Sequence, residues 1–177
     1  MNQKIFNVAS LAVAASALGL SLWQGYIQRQ HNHVSLEPRV NAYFQSNDSL
    51  GVTGLYIVNN GMGPGYVEGI EVYVDGKFIA RSSRDQVWLF SSALEPLGIS
   101  SIACIEVAGP RPNDSLKVGE EIQLIAVGKG SVSECLLARL ELLNVDWSRF
   151  DFNLVLKSIY GDRFIYKFSE NEQVPEL

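Results

Sequence analysis

Cysteine and histidine are nearly absent from this chain, with two of each in 177 residues. Cys104 and Cys135 form no C-x-x-C, and His31 and His33 lie far from both, so the spacing assembles no zinc set. The cysteines have two readings. In an oxidising compartment they could pair if their Cα atoms came within about 7 Å. The reading preferred from sequence is two buried thiols packing as small hydrophobes. Charge is missing where it would matter for phosphate. The first 36 positions carry only Lys4 and Arg29, and the first acidic residue is Glu37. From Val40 onward 11 basic side chains face 18 acidic ones, a net charge of −7, with no local Lys/Arg cluster to offset it. Such a surface repels phosphate backbones, and nucleic acid is set aside as a partner. A phosphate loop is missing too. Gly61, Gly63 and Gly65 would need a further glycine at Tyr66, and no Gly-Lys-Ser/Thr follows them.

What is present begins with a long apolar run. Lys4 and Arg29 bracket the uncharged stretch IFNVASLAVAASALGLSLWQGYIQ, residues 5–28. At about 1.5 Å per residue a helix of that length spans the hydrocarbon core of roughly 30 Å. Phe6 near one end, and Trp23 and Tyr26 near the other, sit where interfacial aromatics are common. A cleaved signal peptide ending at Ala15-Ser16-Ala17 is the rival reading. Against it, apolar character continues through Leu18, Leu20, Leu22 and Trp23. The flanking charges, Lys4 against Arg29 and Arg39, give a slight bias toward a cytoplasmic domain. Ala12, Ala15, Ser16 and Gly19 share one helical face, a spacing of small residues that permits close helix approach and a homo-oligomer.

The expected organisation is a tail and transmembrane helix over residues 1–29, a polar connector over 30–38, a β-rich domain over 39–170 and a frayed tail over 171–177. Val40, Ala42 and Phe44 alternate as in a half-buried strand. Strands are expected over 51–59, 66–75, 77–81, 100–107, 121–127, 151–160 and 163–168, with hairpins at Asp75-Gly76 and Gly161-Asp162. Leu124, Ile125 and Ala126 are consecutive and mark a strand buried on both faces. Two short helices are expected. One covers 83–94 with Ser83 and Gln86 as its capping box. The other follows a Ser131/Glu134 box and presents Leu136, Leu140 and Leu143 on one face, with Arg139 and Glu141 off it. Short strands, local hairpins and no long helix beyond the first predict an antiparallel, immunoglobulin-like β-sandwich with one or two helical insertions.

Two local signatures carry a resemblance. His31-Asn32-His33-Val34-Ser35-Leu36-Glu37-Pro38 follows the apolar run, and Asn59-Asn60-Gly61-Met62-Gly63-Pro64-Gly65 forms a dense turn. With the Tyr160-Gly161-Asp162 hairpin, they resemble a family of uncharacterised single-pass bacterial membrane proteins that carry a β-sandwich after the anchor. Gln30 and Leu36 depart from its basic-His-Asn-x-hydrophobic-Ser-Val-x-Pro junction. The resemblance implies an inner-membrane anchor plus sandwich, and no activity.

Candidate chemistry is thin. His31 and His33 alternate beside the membrane and could share one side of an extended chain, with imidazoles titrating near about 6.5. Glu68 with Glu71, Glu120 with Glu121, and Asp146 with Asp151 are paired acids in no acid/base motif. Asn47-Asp48-Ser49 and Asn113-Asp114-Ser115 are formal glycosylation sequons. The turn of Asn60, Gly61, Met62, Gly63, Pro64 and Gly65 is the candidate binding loop, a minority option beside the preferred reading that its glycines supply positive φ in a tight connection. No cofactor is called for. The expectation is a membrane-anchored, non-enzymatic module that binds another protein through an exposed strand edge or such loops. The alternatives are a small-ligand sensor signalling through helix association and a hydrolase using paired carboxylates.

Overall fold

The computed structural model describes residues 2–47, 52–83, 89–128 and 135–176, in two compact units, Met1–Ser35 and Leu36–Leu177. The first unit is a single helix, α1 (Asn2–Ser35), whose segment Ile5–Ser35 is long and apolar enough to cross a membrane. Its leucines at 11, 18, 20 and 22 are exposed rather than packed against protein. The helix outruns the expected span and takes in most of the predicted connector. Nothing between Gly25 and Pro38 breaks a helix, and Pro38 disfavours helical backbone just before it. His31 and His33 therefore lie on a helix, where residues two apart do not share a face, and their alignment along an extended chain is lost.

The second unit is built from two antiparallel sheets. One has the order β1-β2-β7-β5, from β1 (Val40–Asn47), β2 (Val52–Asn59), β7 (Glu121–Val127) and β5 (Ile105–Val107). The other has the order β10-β9-β8-β3-β4, from β10 (Glu172–Pro175), β9 (Arg163–Lys167), β8 (Phe150–Lys157), β3 (Gly65–Val74) and β4 (Lys77–Arg81). The short β6 (Ser115–Leu116) pairs with β3. Alternation along β8 places Phe150, Phe152, Leu154 and Leu156 inward, and Val67, Ile70, Val72 and Val74 of β3 join them. Leu55, Ile57 and Leu124 of the first sheet belong to the same core cluster. Phe150, Phe152 and Phe168 form its aromatic centre, with the Phe152 and Phe168 rings stacked at 5.0 Å.

Most expected strands are present, and the differences have local causes. Asp75 and Gly76 both adopt positive φ, as a two-residue hairpin turn between β3 and β4 requires. The expected strand over 100–107 shrinks to β5, because residues Ile102–Cys104 wind into a 3-10 turn. Within the tail expected to fray, residues Glu172–Pro175 form a strand. Asn171 takes φ +47 and reverses the chain, so β10 pairs with β9 in register Glu172↔Lys167 to Pro175↔Phe164. The consecutive buried residues of β7 coincide with a bulge against β2 at Leu55/Tyr56.

Of the expected helix over 83–94, α2 (Ser91–Leu94) is helical, whereas Ser83 is not and residues 89–90 form a turn; Gln86 and Val87 lie outside the described residues. The helix after position 135 is present as α3 (Leu136–Asn144), and its predicted Ser131/Glu134 box also lies outside the described residues. The face that carries Leu136, Leu140 and Leu143 is not the buried one. Ala138, Arg139 and Leu142 are buried, whereas Leu136, Leu140 and Leu143 are exposed. Arg139 is accepted inside because its Nε donates to the buried Thr53 hydroxyl at 3.0 Å.

Candidate functional site

The candidate binding loop is occupied by its own chain. Asn59, at the end of β2, is fully buried and uses its whole amide. Its Oδ1 accepts from the Arg39 and Gly61 N–H groups, both at 3.0 Å. Its Nδ2 donates to the Gly63 carbonyl at 2.9 Å and the Leu116 carbonyl at 3.0 Å. The Asn60 N–H donates to the Arg39 carbonyl at 2.7 Å. From the opposite side, Gln173 of β10 donates to the Pro38 carbonyl at 2.6 Å and accepts from the Val40 N–H at 3.1 Å. Residues 36–40 are thereby held as a strap under the turn.

The glycines have a different reason from the one expected. None of Gly61, Gly63 and Gly65 has positive φ. A side chain on Gly61 would collide with the backbone of Glu37 and Arg39, and one on Gly63 with the Leu36 carbonyl. They are glycines because backbone passes against backbone. Of the six loop residues, Asn60 and Met62 are exposed, Pro64 is half-buried, and Gly61, Gly63 and Gly65 are buried. The loop clasps the start of the domain, and of its side chains Met62 offers the apolar surface.

Cys104 and Cys135 are joined in a disulfide with Cα atoms 5.5 Å apart, which corrects the expectation of two free thiols. The pairing is the second of the two readings of the sequence, which spacing alone does not decide, because the 3-10 turn before β5 and the start of α3 meet only in the fold. Glu141 of α3 reinforces the junction, accepting from the Ser100 hydroxyl and from the N–H groups of Ser100 and Ser101. Those donors, the Ser100 hydroxyl first, hold the Glu141 carboxyl below the ordinary carboxylate range.

Beside that junction a hollow of about 750 Å³ is lined by Leu94, Ile102, Ile105, Val107, Glu106 and Gln123, among others. Ile105 and Val107 stand opposite Val127 and Ile125 of β7, while Glu106 stands opposite Ala126. Successive strand residues face opposite sides, and the hollow touches both sets along β5, which ends its sheet. No sequence signal marked this edge, since a three-residue strand leaves almost no periodicity to read.

The paired acids are dispersed. Glu68 is bound to Arg163 at 2.6 Å, and Glu71 to Arg81 and Tyr73. Glu120 accepts from the Lys117 N–H, Asp146 caps Ser148, and Asp151 accepts from Ser169. Glu121 accepts from the Tyr43 hydroxyl on the sheet surface. Burial, with that hydrogen bond, pushes the Tyr43 hydroxyl up to about 12. Among the described residues no group of three or more His, Cys, Asp and Glu could hold a metal ion. In α1, Ala12, Ala15, Ser16 and Gly19 are exposed, with the Ser16 hydroxyl donating to the Ala12 carbonyl at 2.9 Å. No family model matches this chain, and no curated protein matches it.

Proposed function

We propose that this chain is a single-pass membrane protein whose β-rich domain, a sandwich of immunoglobulin-like outline, binds another protein and performs no catalysis. The carrying observation is the direct join between an apolar helix and a clasped domain: α1 ends at Ser35, and the strap held by Asn59, the glycine turn and Gln173 starts at Leu36. A domain that follows its anchor directly in the chain works at a membrane surface. The shared core of the two sheets supports the sandwich description. The resemblance to uncharacterised single-pass bacterial proteins supports the inner membrane as location. The dispersal of the paired acids into ion pairs and turn caps argues for binding over carboxylate hydrolysis.

The disulfide argues that the domain faces the oxidising side of the membrane, against the slight charge bias toward the cytoplasm. Thiol labelling in intact cells tests this side directly. Cys104 and Cys135 should resist a maleimide until a reductant is added, and labelling of both without reductant would refute it. Formaldehyde crosslinking in cells, followed by purification of the full-length protein, tests the binding. Recovery of no stoichiometric partner would count against it.

A further inference from the structure

We propose that the outer edge of β5, with the hollow beside it, binds an extended segment of the partner protein by strand addition. The segment alternates apolar residues with polar ones that include lysine or arginine. This rests on the protein-binding reading and assigns it a site. The hydrogen-bonding pattern sets the edge. The Gly128 N–H donates to the Cys104 carbonyl at 2.8 Å, and the Ala108 N–H to the Leu124 carbonyl at 3.0 Å. In an antiparallel ladder the residues between such pairs turn their backbone groups the other way. Those are Ile105 and Val107. The Ile105 N–H is taken by the Ile102 carbonyl. The Ile105 carbonyl and both Val107 groups are directed away from β7.

Among the described strands, the other edges are defended. On β1, the Val40 N–H is capped by Gln173 and the Ala42 N–H by the Tyr166 hydroxyl at 2.9 Å. Short β10 ends in Pro175, and β4 carries Lys77 and Arg81 at its two ends. At β5 the edge instead adjoins apolar side chains: the exposed Ile102 and the half-buried Ile105 would receive one set of alternating residues, over the buried Leu94 and Val107. The other set would lie beside Glu106 and Gln123, on a domain of net charge −7. Arg111 is paired with Asp114 at 3.6 Å and Glu106 accepts from Gln123 at 3.3 Å, so the positive charge on the segment answers the net −7 of the domain as a whole.

A photo-crosslinking residue placed in turn at Ile102, Met62 and Phe78 of the full-length protein in intact cells tests the site. All three are exposed, so the fold tolerates the change. The expected result is an adduct at Ile102 whose attachment point in the partner maps to an alternating stretch with a basic residue. A synthetic peptide of that stretch should bind the purified full-length protein. Methylating its alternate backbone amides, or substituting Ile102→Asp, should each weaken binding about tenfold or more. Adducts only at Met62 or Phe78 would overturn the β5 site and leave protein binding standing, whereas no adduct at any position would overturn both. An Ile102 adduct with a second copy of this chain, or a peptide indifferent to amide methylation, would overturn strand addition to a partner.

Discussion

Asn59 carries unusual structural consequence for a polar residue, because four backbone groups depend on one buried amide. Asn59→Ala leaves the Arg39 and Gly61 N–H groups and the Gly63 and Leu116 carbonyls without that partner. Unsatisfied buried groups cost about 1–3 kcal/mol each before relaxation and water entry, so a net loss of about 3 kcal/mol is expected in urea unfolding. Gly63→Ala tests the neighbouring contact. Its added methyl meets the Leu36 carbonyl, so a loss of about 2 kcal/mol or more is expected, with faster hydrogen exchange at residues 36–40 than in β8. Tyr43 supplies a pH-dependent test. Its folded value, near 12, lies above the ordinary value of 10.0, so the folded state holds the proton more tightly. That contribution is complete below about pH 10 and is lost as pH rises toward 12. Tyr43→Phe should therefore flatten part of the alkaline decline in stability, seen as a smaller change in melting temperature between pH 9 and 11. An unchanged slope would show that the hydroxyl is not protected.

Among the elements, α3 separates what the sequence discloses from what only packing decides. Its helical period was readable, but five leucines distributed around nine residues leave the inward face ambiguous. Arg139 looked like a surface residue because a charge is rarely buried, and the Thr53 hydroxyl that receives it is 86 positions away. Leu142→Ala is expected to cost about 3 kcal/mol, whereas Leu140→Ala, on the exposed face, should cost less than about 1. Equal losses in thermal or urea unfolding would contradict the observed orientation. The hairpin at Asp75-Gly76 was legible because its turn residues encode positive φ locally. The pairing of β2 with β7 and of β3 with β8 was not, since partners far apart in sequence leave no mark in a single chain. The glycine turn was found as a motif, and its purpose was misread. Close passage of residues 36–39 becomes visible only when the two quoted signatures meet, one as strap and the other as clasp. β10 was missed because Glu172-Gln173-Val174-Pro175 is short and polar, yet Gln173 supplies the second hold on the strap.

Across the whole molecule, the clasp and the disulfide tie down different regions of the domain. The clasp joins the chain just after α1 to β2, β6 and β10, whereas the disulfide joins the 3-10 turn before β5 to the start of α3. The second link closes a loop across a sequence separation of 31, which contains all of β7. Loop-closure entropy for that length gives about 3–4 kcal/mol of stabilisation in the chain-entropy account. Replacing Cys104 and Cys135 by serine together should lower stability by that order. The loss should fall unevenly: hydrogen exchange should accelerate at β5 and α3 well before β3 and β8, whose pairing forms the centre of the larger sheet. The same substitution connects stability to binding, because the hollow beside β5 is walled by residues next to the bridge. If strand addition occurs there, the serine variant should lose partner adducts at Ile102 even at temperatures where the domain remains folded. Retained adducts with an accelerated β5 would show that the edge binds without being held in place, and would separate the disulfide's part in stability from any part in recognition.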